Sequence, residues 1–474
     1  MASAFDKLKS KRCTAVITVP APLAPPAAFL RNQRRNMSFF WDSPGDLPHA
    51  GAGAVEILRV SGPKRCAQLE ARLERLWNDL VVHIHPDCAP PPPRAFGGMS
   101  FHPDGASSRS PHWQEFDDGC FTLPRWCYGH DGKRAFLSLA VRGPEDCDPV
   151  RGRELVDELE AILLGLERAA EASPVRHHER PAEAPANAAG TIHQIDVRTW
   201  ERRIAEIHRA IGTGEFQKIV AARRCDVELP WAVDELEVLS RLVAEPMCTR
   251  FLFGREKFRF LGASPELLFH KRGKVLRTEA LAGTSPCPAG ADVAERANAL
   301  LASRKDRVEH AFVVREIAQI LGPLCKEFRS PAQPRVRSIR EILHLYTPFE
   351  GSLEHEMNPI RLLAALHPTP AVGGLPKAHA AEWIARHEVE PRGWYTGPVG
   401  WVDAAGDARF VVAIRCGLVG ECSALIFTGA GIVEESLASA EYAETTLKQL
   451  PLLRALGFLE EAFHPKPRQA TDGS

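Results

Sequence analysis

The chain has 474 residues, 45% of them hydrophobic, and carries a formal net charge of -1 at pH 7. A chain of this length can bury a large core, and length alone allows either one large domain or roughly two to four smaller ones. The balanced charge excludes the clustered basic surface that nucleic-acid-binding proteins use. No stretch reaches the roughly 20 consecutive apolar residues of a membrane span.

The spacing of the cysteines indicates whether the protein works in a reducing or an oxidising compartment. All twelve are scattered, and no two are separated by the two-residue gap that is typical of zinc or redox sites. They predict reduced, mostly buried thiols in a cytoplasmic protein.

The first 36 residues imitate a secretion signal, because basic residues at 7–12 precede an apolar run. Prolines at positions 20, 22, 25 and 26 break the helix that such a signal requires. We therefore expect residues 1–36 to be a disordered or loosely ordered tail, with the folded part beginning near Met37.

Two regions follow this segment. Residues 37–190 form the first, with an alternating strand pattern at 55–60, helical periodicity at 66–80 and short strands between 121 and 141. Residues 172–190 are rich in alanine, proline and histidine, which predicts a solvated linker.

The second region, residues 191–474, mixes helix and strand patterns. An amphipathic helix is predicted at 197–212, and strands at 218–229, 249–253, 258–262, 267–270 and 275–280. The patterns do not alternate strictly, which favours an α+β fold with a large sheet over a doubly wound one.

Two pairs of acids have helical spacing. Asp306 lies three residues before Glu309, and Glu441 lies three residues before Glu444, so each pair shares a helix face. Carboxylate oxygens suit Mg²⁺, which keeps several waters and takes few protein ligands. A charged, solvated helix face is the alternative explanation for either pair taken alone.

An apolar segment with a strand pattern, residues 427–433, contains Gly429, Ala430 and Gly431. Glycines let the backbone approach a ligand, and consecutive N–H groups can form a nest for a carboxylate. The segment is neither a dinucleotide fingerprint nor a phosphate-binding Walker loop. Tyr395 and Arg415 add a phenol and a guanidinium for a carboxylate, although a structural salt bridge would also explain the arginine.

Several ordered motifs carry a family resemblance. They are Phe216-Gln217-Lys218-Ile219-Val220, Gly262-Ala263-Ser264-Pro265-Glu266-Leu267-Leu268, Leu281-Ala282-Gly283-Thr284, Lys305-Asp306-Arg307-Val308-Glu309-His310, His367-Pro368-Thr369-Pro370-Ala371-Val372-Gly373-Gly374, and Arg392-Gly393-Trp394-Tyr395-Thr396-Gly397. With the segment from Gly429 to Lys448, they make residues 195–457 resemble the chorismate-utilising enzymes. Residues 39–60 are also similar to the start of isochorismate synthases.

The resemblance implies an α+β fold like that of anthranilate synthase component I, with large mixed and antiparallel sheets packed together and flanked by helices. It makes residues 191–474 the chorismate-binding catalytic region. Family members that add ammonia replace the lysine at position 218, and the aminodeoxychorismate type has a lysine where this chain has Ala282. Both positions favour water as the nucleophile, and therefore an isomerase closest to isochorismate synthase.

Two alternatives remain open. Salicylate synthases also eliminate pyruvate, but they tend to have a threonine where this chain has Ala371, which favours stopping at isochorismate. A catalytically inactive homologue that binds chorismate-like anions is the other alternative. The sequence leaves open whether the product serves a siderophore, menaquinone or a salicylate-derived compound.

The resemblance also implies residue roles. Lys218 is the base and must be neutral to act, while Glu266 is the acid and must hold its proton near neutral pH. Glu309 and Glu444 hold Mg²⁺, with Asp306 and Glu441 in support. The substrate-binding residues are Tyr395, Arg415, the backbone of Gly429, Ala430 and Gly431, and the supporting residues Lys448, His344, Thr284 and Ala371.

The implied partner is the small molecule chorismate alone. We expect a cytoplasmic monomer with no glutamine amidotransferase subunit, no nucleic acid and no membrane. The chain departs from the family pattern at Cys287, where an arginine is usual, and at residues 436–440, which lack a common Asp-Pro.

Overall fold

The computed structural model describes residues 13–33, 37–103, 110–172, 190–242, 247–288 and 290–458. Within these ranges the chain forms twenty-one strands and ten α-helices. The strands are β1 (Thr14–Ala21), β2 (Ser38–Asp42), β3 (His49–Val60), β4 (Leu80–Ile84), β5 (Arg94–Met99), β6 (Gly119–His130), β7 (Ala135–Arg142), β8 (Thr191–Gln194), β9 (Lys218–Glu228), β10 (Thr249–Gly254), β11 (Arg259–Ser264), β12 (Leu267–Arg272), β13 (Val275–Pro286), β14 (Cys325–Arg329), β15 (Arg335–Ile339), β16 (Ile342–Leu353), β17 (Gly374–Leu375), β18 (Pro398–Asp403), β19 (Ala408–Val412), β20 (Cys416–Val419) and β21 (Ser423–Ile432). The helices are α1 (Pro26–Arg31), α2 (Arg65–Asn78), α3 (Pro149–Ala172), α4 (Val197–Gly212), α5 (Glu235–Arg241), α6 (Val293–Ala302), α7 (Arg304–Leu321), α8 (Pro359–Leu366), α9 (Lys377–His387) and α10 (Ala438–Ala455).

The strands form one continuous sheet that divides at β6. One edge of β6 pairs with β3, while its other edge pairs with β5 near Gly119 and with β7 beyond Trp126. The first branch runs β4-β1-β7-β6-β3-β2-β10-β11-β20-β21-β9, and the second runs β5-β18-β19-β12-β13-β16. Among the described strands, every pairing is antiparallel except the parallel pair β1 and β4. The α+β prediction is confirmed.

An aromatic core joins the two branches. Phe251, Phe260 and Phe427 of the first branch pack in one buried cluster with Trp401 of the second and with Trp394. Large aromatic side chains bury the most apolar area per residue, so this cluster holds the two branches together.

Two of the connections at which the chain passes between the branches are adjacent. Pro265 and Glu266 link β11 of the first branch to β12 of the second, and residues 413–415 link β19 back to β20. The connections are tied together, because Val412 N–H donates to the Glu266 carbonyl at 3.1 Å and Ala263 N–H donates to the Arg415 carbonyl at 3.2 Å.

Helix α4 matches the predicted range. Asp196 caps it by accepting from Thr199 N–H, and Trp200, Ile204 and Ile207 are buried along one face. The predicted linker at 172–190 lies almost entirely outside the described residues, with α3 ending at Ala172. No helix in the described part of the chain has the length and hydropathy to cross a bilayer.

The prediction of a disordered tail is wrong for residues 13–33, whereas residues 1–12 and 34–36 lie outside the described part. Strand β1 lies between β4 and β7, and helix α1 buries Phe29 and Leu30. The prolines that break a signal helix are compatible with this structure, because Pro20 lies in a strand and Pro26 begins a helix.

A truncated protein beginning at Met37 is therefore expected to fail to fold. It loses a strand with two partners and the buried side chains of Val16, Phe29 and Leu30. Each buried apolar side chain contributes about 1.5–3 kcal/mol, so the loss is comparable with the whole stability of a typical domain. Circular dichroism and urea unfolding of the truncated and full-length proteins measure this. A truncated protein with an unchanged unfolding midpoint would contradict it.

Candidate active site

A cavity lies between the two branches, next to both connections. Eleven of the fifteen predicted site residues line it: Glu266, Thr284, Glu309, His344, Ala371, Tyr395, Arg415, Gly429, Gly431, Glu444 and Lys448. Residues as far apart in sequence as Glu266 and Lys448 thus meet at one place.

Lys218 does not line the cavity, but it lies directly behind it at the start of β9. Its side chain is fully buried, and its Nζ is 3.0 Å from Glu309 Oε1. The ammonium of Lys218 has no hydrogen-bond partner among the described residues, so the contact is an ion pair. A Cβ atom at Gly431 would lie 2.3 Å from Glu309 Oε1 and 2.6 Å from Lys218 Cε, so a side chain there would displace the ends of this ion pair.

Glu266 is buried in the connection from β11 to β12. Burial and then the neighbouring Glu279 raise the pKa of its carboxyl to about 8, against the opposing effects of Lys218 and Lys448. At neutral pH the side chain therefore carries a proton, which a general acid needs.

Three lysines compensate the acids of α7 and α10. Lys448 Nζ lies 2.6 Å from Glu444 Oε1, and Lys305 Nζ lies 2.6 Å from Glu441 Oε1. Burial raises the pKa of Glu309, but Lys218 and Lys305 outweigh burial and hold it below its usual value. Glu309 is thus kept ionised at the cavity wall.

The acids around the cavity differ in how well they suit Mg²⁺. No group of three or more potential metal-ligating side chains is close enough to hold an ion by itself within the ranges that the structure describes. Mg²⁺ commonly uses one or two carboxylates, waters and a substrate oxygen. The two cavity-lining carboxylates, Glu309 and Glu444, fit that pattern.

The structure places the other two predicted metal residues away from the cavity lining. Asp306 accepts hydrogen bonds from Thr284 N–H at 3.2 Å and from the hydroxyl of Ser303, the N-cap of α7. It therefore fixes the turn at Gly283, whose φ is +78°. Glu441 is only 1% exposed and is occupied by Lys305.

Arg415 and His344 form a polar end of the cavity. Arg415 Nη2 lies 3.2 Å from His344 Nε2, and His344 Nδ1 lies 3.2 Å from Thr284 Oγ1. Burial and then Arg415 hold the pKa of His344 well below 6.5, so the ring is neutral. Its Nε2 accepts from the arginine and its Nδ1 carries the proton. Arg415 makes no ion pair with a carboxylate of the described residues, and its φ is +52°.

The prediction of a backbone nest at 429–431 is wrong. These residues lie in β21, where Gly429, Ala430 and Gly431 pair in register with Ala222, Ala221 and Val220 of β9. Successive N–H groups of a strand point in opposite directions, so the three cannot converge on one carboxylate.

The side chain of Ala430 is not in the cavity either. It is buried in a cluster with Trp200 and Ile204 of α4, because alternate residues of a strand face opposite sides. Gly429 does face the site: Lys448 Nζ donates to its carbonyl at 3.0 Å, and a Cβ there would lie 2.9 Å from the hydroxyl of Tyr395.

Sequence reasoning assigned no role to several supporting residues. Arg392 binds the carbonyls of Val220 and Val372 and the carboxylate of Glu388, thereby fixing the segment that carries Tyr395. Its place in the Arg392–Gly397 motif was the available signal. For Lys305 the signal was its position beside Asp306, whereas nothing in the sequence indicates the pairing of Glu279 with Arg337.

Comparison with known proteins agrees with this geometry. The family described as "Chorismate binding enzyme" matches residues 2–457. The salicylate biosynthesis isochorismate synthase of Pseudomonas aeruginosa is 34% identical over 443 residues, which cover 91% of this chain and 87% of the relative. The menaquinone-specific isochorismate synthase of Escherichia coli has a similar structure, with a TM-score of 0.72 and 25% identity, covering 96% of this chain and 98% of that one.

Anthranilate synthase component I from Streptococcus pneumoniae shares the fold, with a TM-score of 0.61 at 20% identity, over 94% of this chain and 92% of that one. The fold resemblance predicted from the sequence is thereby confirmed. From the match over almost its whole length and the site that its motifs form, the chain belongs to the family of chorismate-binding enzymes.

Proposed function

We propose that the protein converts chorismate to isochorismate, as an isochorismate synthase. The observation that carries the proposal is an acid that lines the cavity and is protonated at neutral pH, Glu266, together with a buried lysine, Lys218, directly behind the cavity wall. The names of the relatives, which are isochorismate synthases, support the same activity.

The reaction adds the oxygen of water at ring carbon 2, shifts the double bonds and expels the hydroxyl of carbon 4 as water. Lys218 accepts the proton of the incoming water, which requires that the ammonium paired with Glu309 first gives up its own proton, and Glu266 donates a proton to the departing hydroxyl. Both transfers are needed because water is a weak nucleophile and hydroxide is a poor leaving group. The ring thus gains one water and loses another, which makes the reaction an isomerisation.

Arg415 and Tyr395 orient the substrate in this proposal. The guanidinium has no carboxylate partner among the described residues, so it is available for the enolpyruvyl carboxylate. Tyr395 stacks on Phe427, with ring centroids 5.3 Å apart, and burial raises the pKa of its phenol. The phenol therefore stays protonated and can donate a hydrogen bond.

We also propose that Glu309 and Glu444 hold Mg²⁺ when the substrate is bound. The ion would neutralise and fix the ring carboxylate of chorismate. The requirement for Mg²⁺ is testable by removing divalent ions with EDTA. We expect turnover to fall at least roughly 100-fold and to return with added Mg²⁺, because the ring carboxylate would otherwise face two glutamates. Full activity after EDTA treatment would contradict the metal proposal.

Separation of products tests the function itself. The purified protein is incubated with chorismate and Mg²⁺, and the products are separated by liquid chromatography. Isochorismate alone is the expected result. Salicylate and pyruvate would favour the salicylate synthase alternative, and unchanged chorismate would favour an inactive binding protein.

We also propose the cellular compartment and the oligomeric state. All twelve cysteines are free thiols, which supports work in a reducing compartment, the cytoplasm. We propose a monomer without an amidotransferase subunit, because the reaction uses water and not ammonia as its nucleophile.

A further inference from the structure

The turn that carries Glu266 is fixed by a buried ion pair that has no part in the reaction proposed above. Arg337 of β15 and Glu279 of β13 are each 8% exposed. The guanidinium donates two parallel hydrogen bonds to the carboxylate, Nη1 to Oε1 and Nη2 to Oε2, both at 2.9 Å. Such bidentate pairs are among the strongest and most directional in proteins.

The pair holds the turn on both sides of Glu266. Arg337 Nη1 also donates to the carbonyl of Pro265 at 3.1 Å, and Glu279 Oε1 accepts from the N–H of Leu267 at 2.9 Å. The residues immediately before and after Glu266 are therefore bonded to the two members of one ion pair. The ring of Tyr346 covers the guanidinium, with 3.6 Å from Arg337 Cζ to the ring centroid.

The charge of Glu279 also acts on Glu266. Glu279 is the neighbouring carboxylate that disfavours ionisation of Glu266, and Arg337 compensates Glu279. The other charged groups that act on Glu266 are Lys218 of β9 and Lys448 of α10, and both favour ionisation. Removing either member of the pair therefore leaves the other charge uncompensated near the acid.

We propose that Glu279 and Arg337 are a positioning pair for the acid Glu266, which fixes the turn and balances two opposite charges beside it. The inference depends on the function proposed above only where it is tested by kinetics. Glu279 and Arg337 are positioning residues, because they touch neither the substrate nor the reacting atoms.

The test compares Glu279→Gln with Arg337→Met. In both variants kcat should fall roughly 10-fold while KM for chorismate changes little, because the turn loses part of its support. The alkaline limb of the pH profile of kcat should move in opposite directions. It should move to lower pH by about one unit in Glu279→Gln and to higher pH in Arg337→Met, since a nearby positive charge favours ionisation and a negative charge opposes it.

Matched controls come from the same hairpin region. Glu350→Gln on β16 and Arg335→Met on β15 change exposed residues of the same types and should leave the profile unchanged. If a single variant does not fold, the double variant Glu279→Gln/Arg337→Met removes both charges and should keep the limb near its original position. The inference would be overturned if kcat fell but the alkaline limb did not shift, or shifted in the same direction in both single variants. The pair would then have only a structural role.

A second readout is independent of the reaction. The titration of Glu266 can be followed by ¹³C NMR of labelled glutamate carboxyls, with its signal assigned by Glu266→Gln. The same opposite shifts are expected there. A wild-type protein that makes no isochorismate would overturn the proposed function, whereas the NMR titration alone would still support or overturn the inference.

Discussion

Replacing Lys218 by alanine is expected to lower kcat at least roughly 100-fold while chorismate still binds. Loss of a positioned general base typically costs about 10²–10⁴-fold in rate. The side chain is fully buried beside Glu309, so no other group or bulk water can take its place. Product formation is measured by chromatography, and chorismate binding by isothermal titration calorimetry.

Lys271 provides the matched control for this substitution. It is also a buried lysine in a strand, only 4% exposed, and its Nζ donates to the Gly406 carbonyl at 2.7 Å, away from the cavity. Lys271→Ala should leave kcat near the wild-type value. Normal turnover by Lys218→Ala would refute the assignment of the base, and loss of chorismate binding would show that Lys218 serves binding instead.

The second large effect is expected for Glu266→Gln, which should lose turnover and gain stability. An amide cannot protonate the departing hydroxyl, so kcat should fall by a factor similar to that for the lysine variant. The amide also needs no ionisation, whereas the buried carboxyl of Glu266 has a pKa of about 8 against a usual value of 4.5. A catalytic acid kept in this environment reduces the stability of the fold.

The sign of the pH dependence follows from this raised pKa. Between pH 4.5 and pH 8 the unfolded chain has lost the proton of Glu266 while the folded protein keeps it. Stability of the wild-type protein therefore falls as pH rises through this window. Glu266→Gln should be about as stable as wild type near pH 4, and more stable by roughly 3 kcal/mol at pH 7.

Urea unfolding of both proteins at several pH values measures this difference. The exposed Glu350→Gln should track the wild type at every pH. A stability difference for Glu266→Gln that is constant with pH would show that Glu266 is not held protonated in the fold.

Local patterns predicted much of the architecture correctly. The range of α4 follows from its apolar periodicity, and β9 to β13 follow from runs of β-branched and aromatic residues between turns. The N-terminal strand was missed because its stability comes from β4 and β7, which lie far along the chain. A strand that depends on distant partners has only a weak local signal.

The site was predictable to the extent that its motifs are local. Glu266, Glu309 and Glu444 were identified from such segments, and they do line one cavity. The error at Ala430 arose because a pair of glycines is typical of nests, turns and strands alike, and only the pairing with β9 decides among them. The bond between Arg337 and Glu279 joins residues 58 positions apart and has no local pattern at all.

The two adjacent connections between the branches have a consequence for how substitutions can change the active site. Glu266 and Arg415 sit where the chain changes branch, so their separation is set by the packing of one half of the molecule against the other. Each half can keep its own hydrogen bonds and still lose the alignment of acid and guanidinium through a small slip along the aromatic contact. Substitutions of Phe251 or Trp401, which do not line the cavity, can therefore change the geometry of this active site.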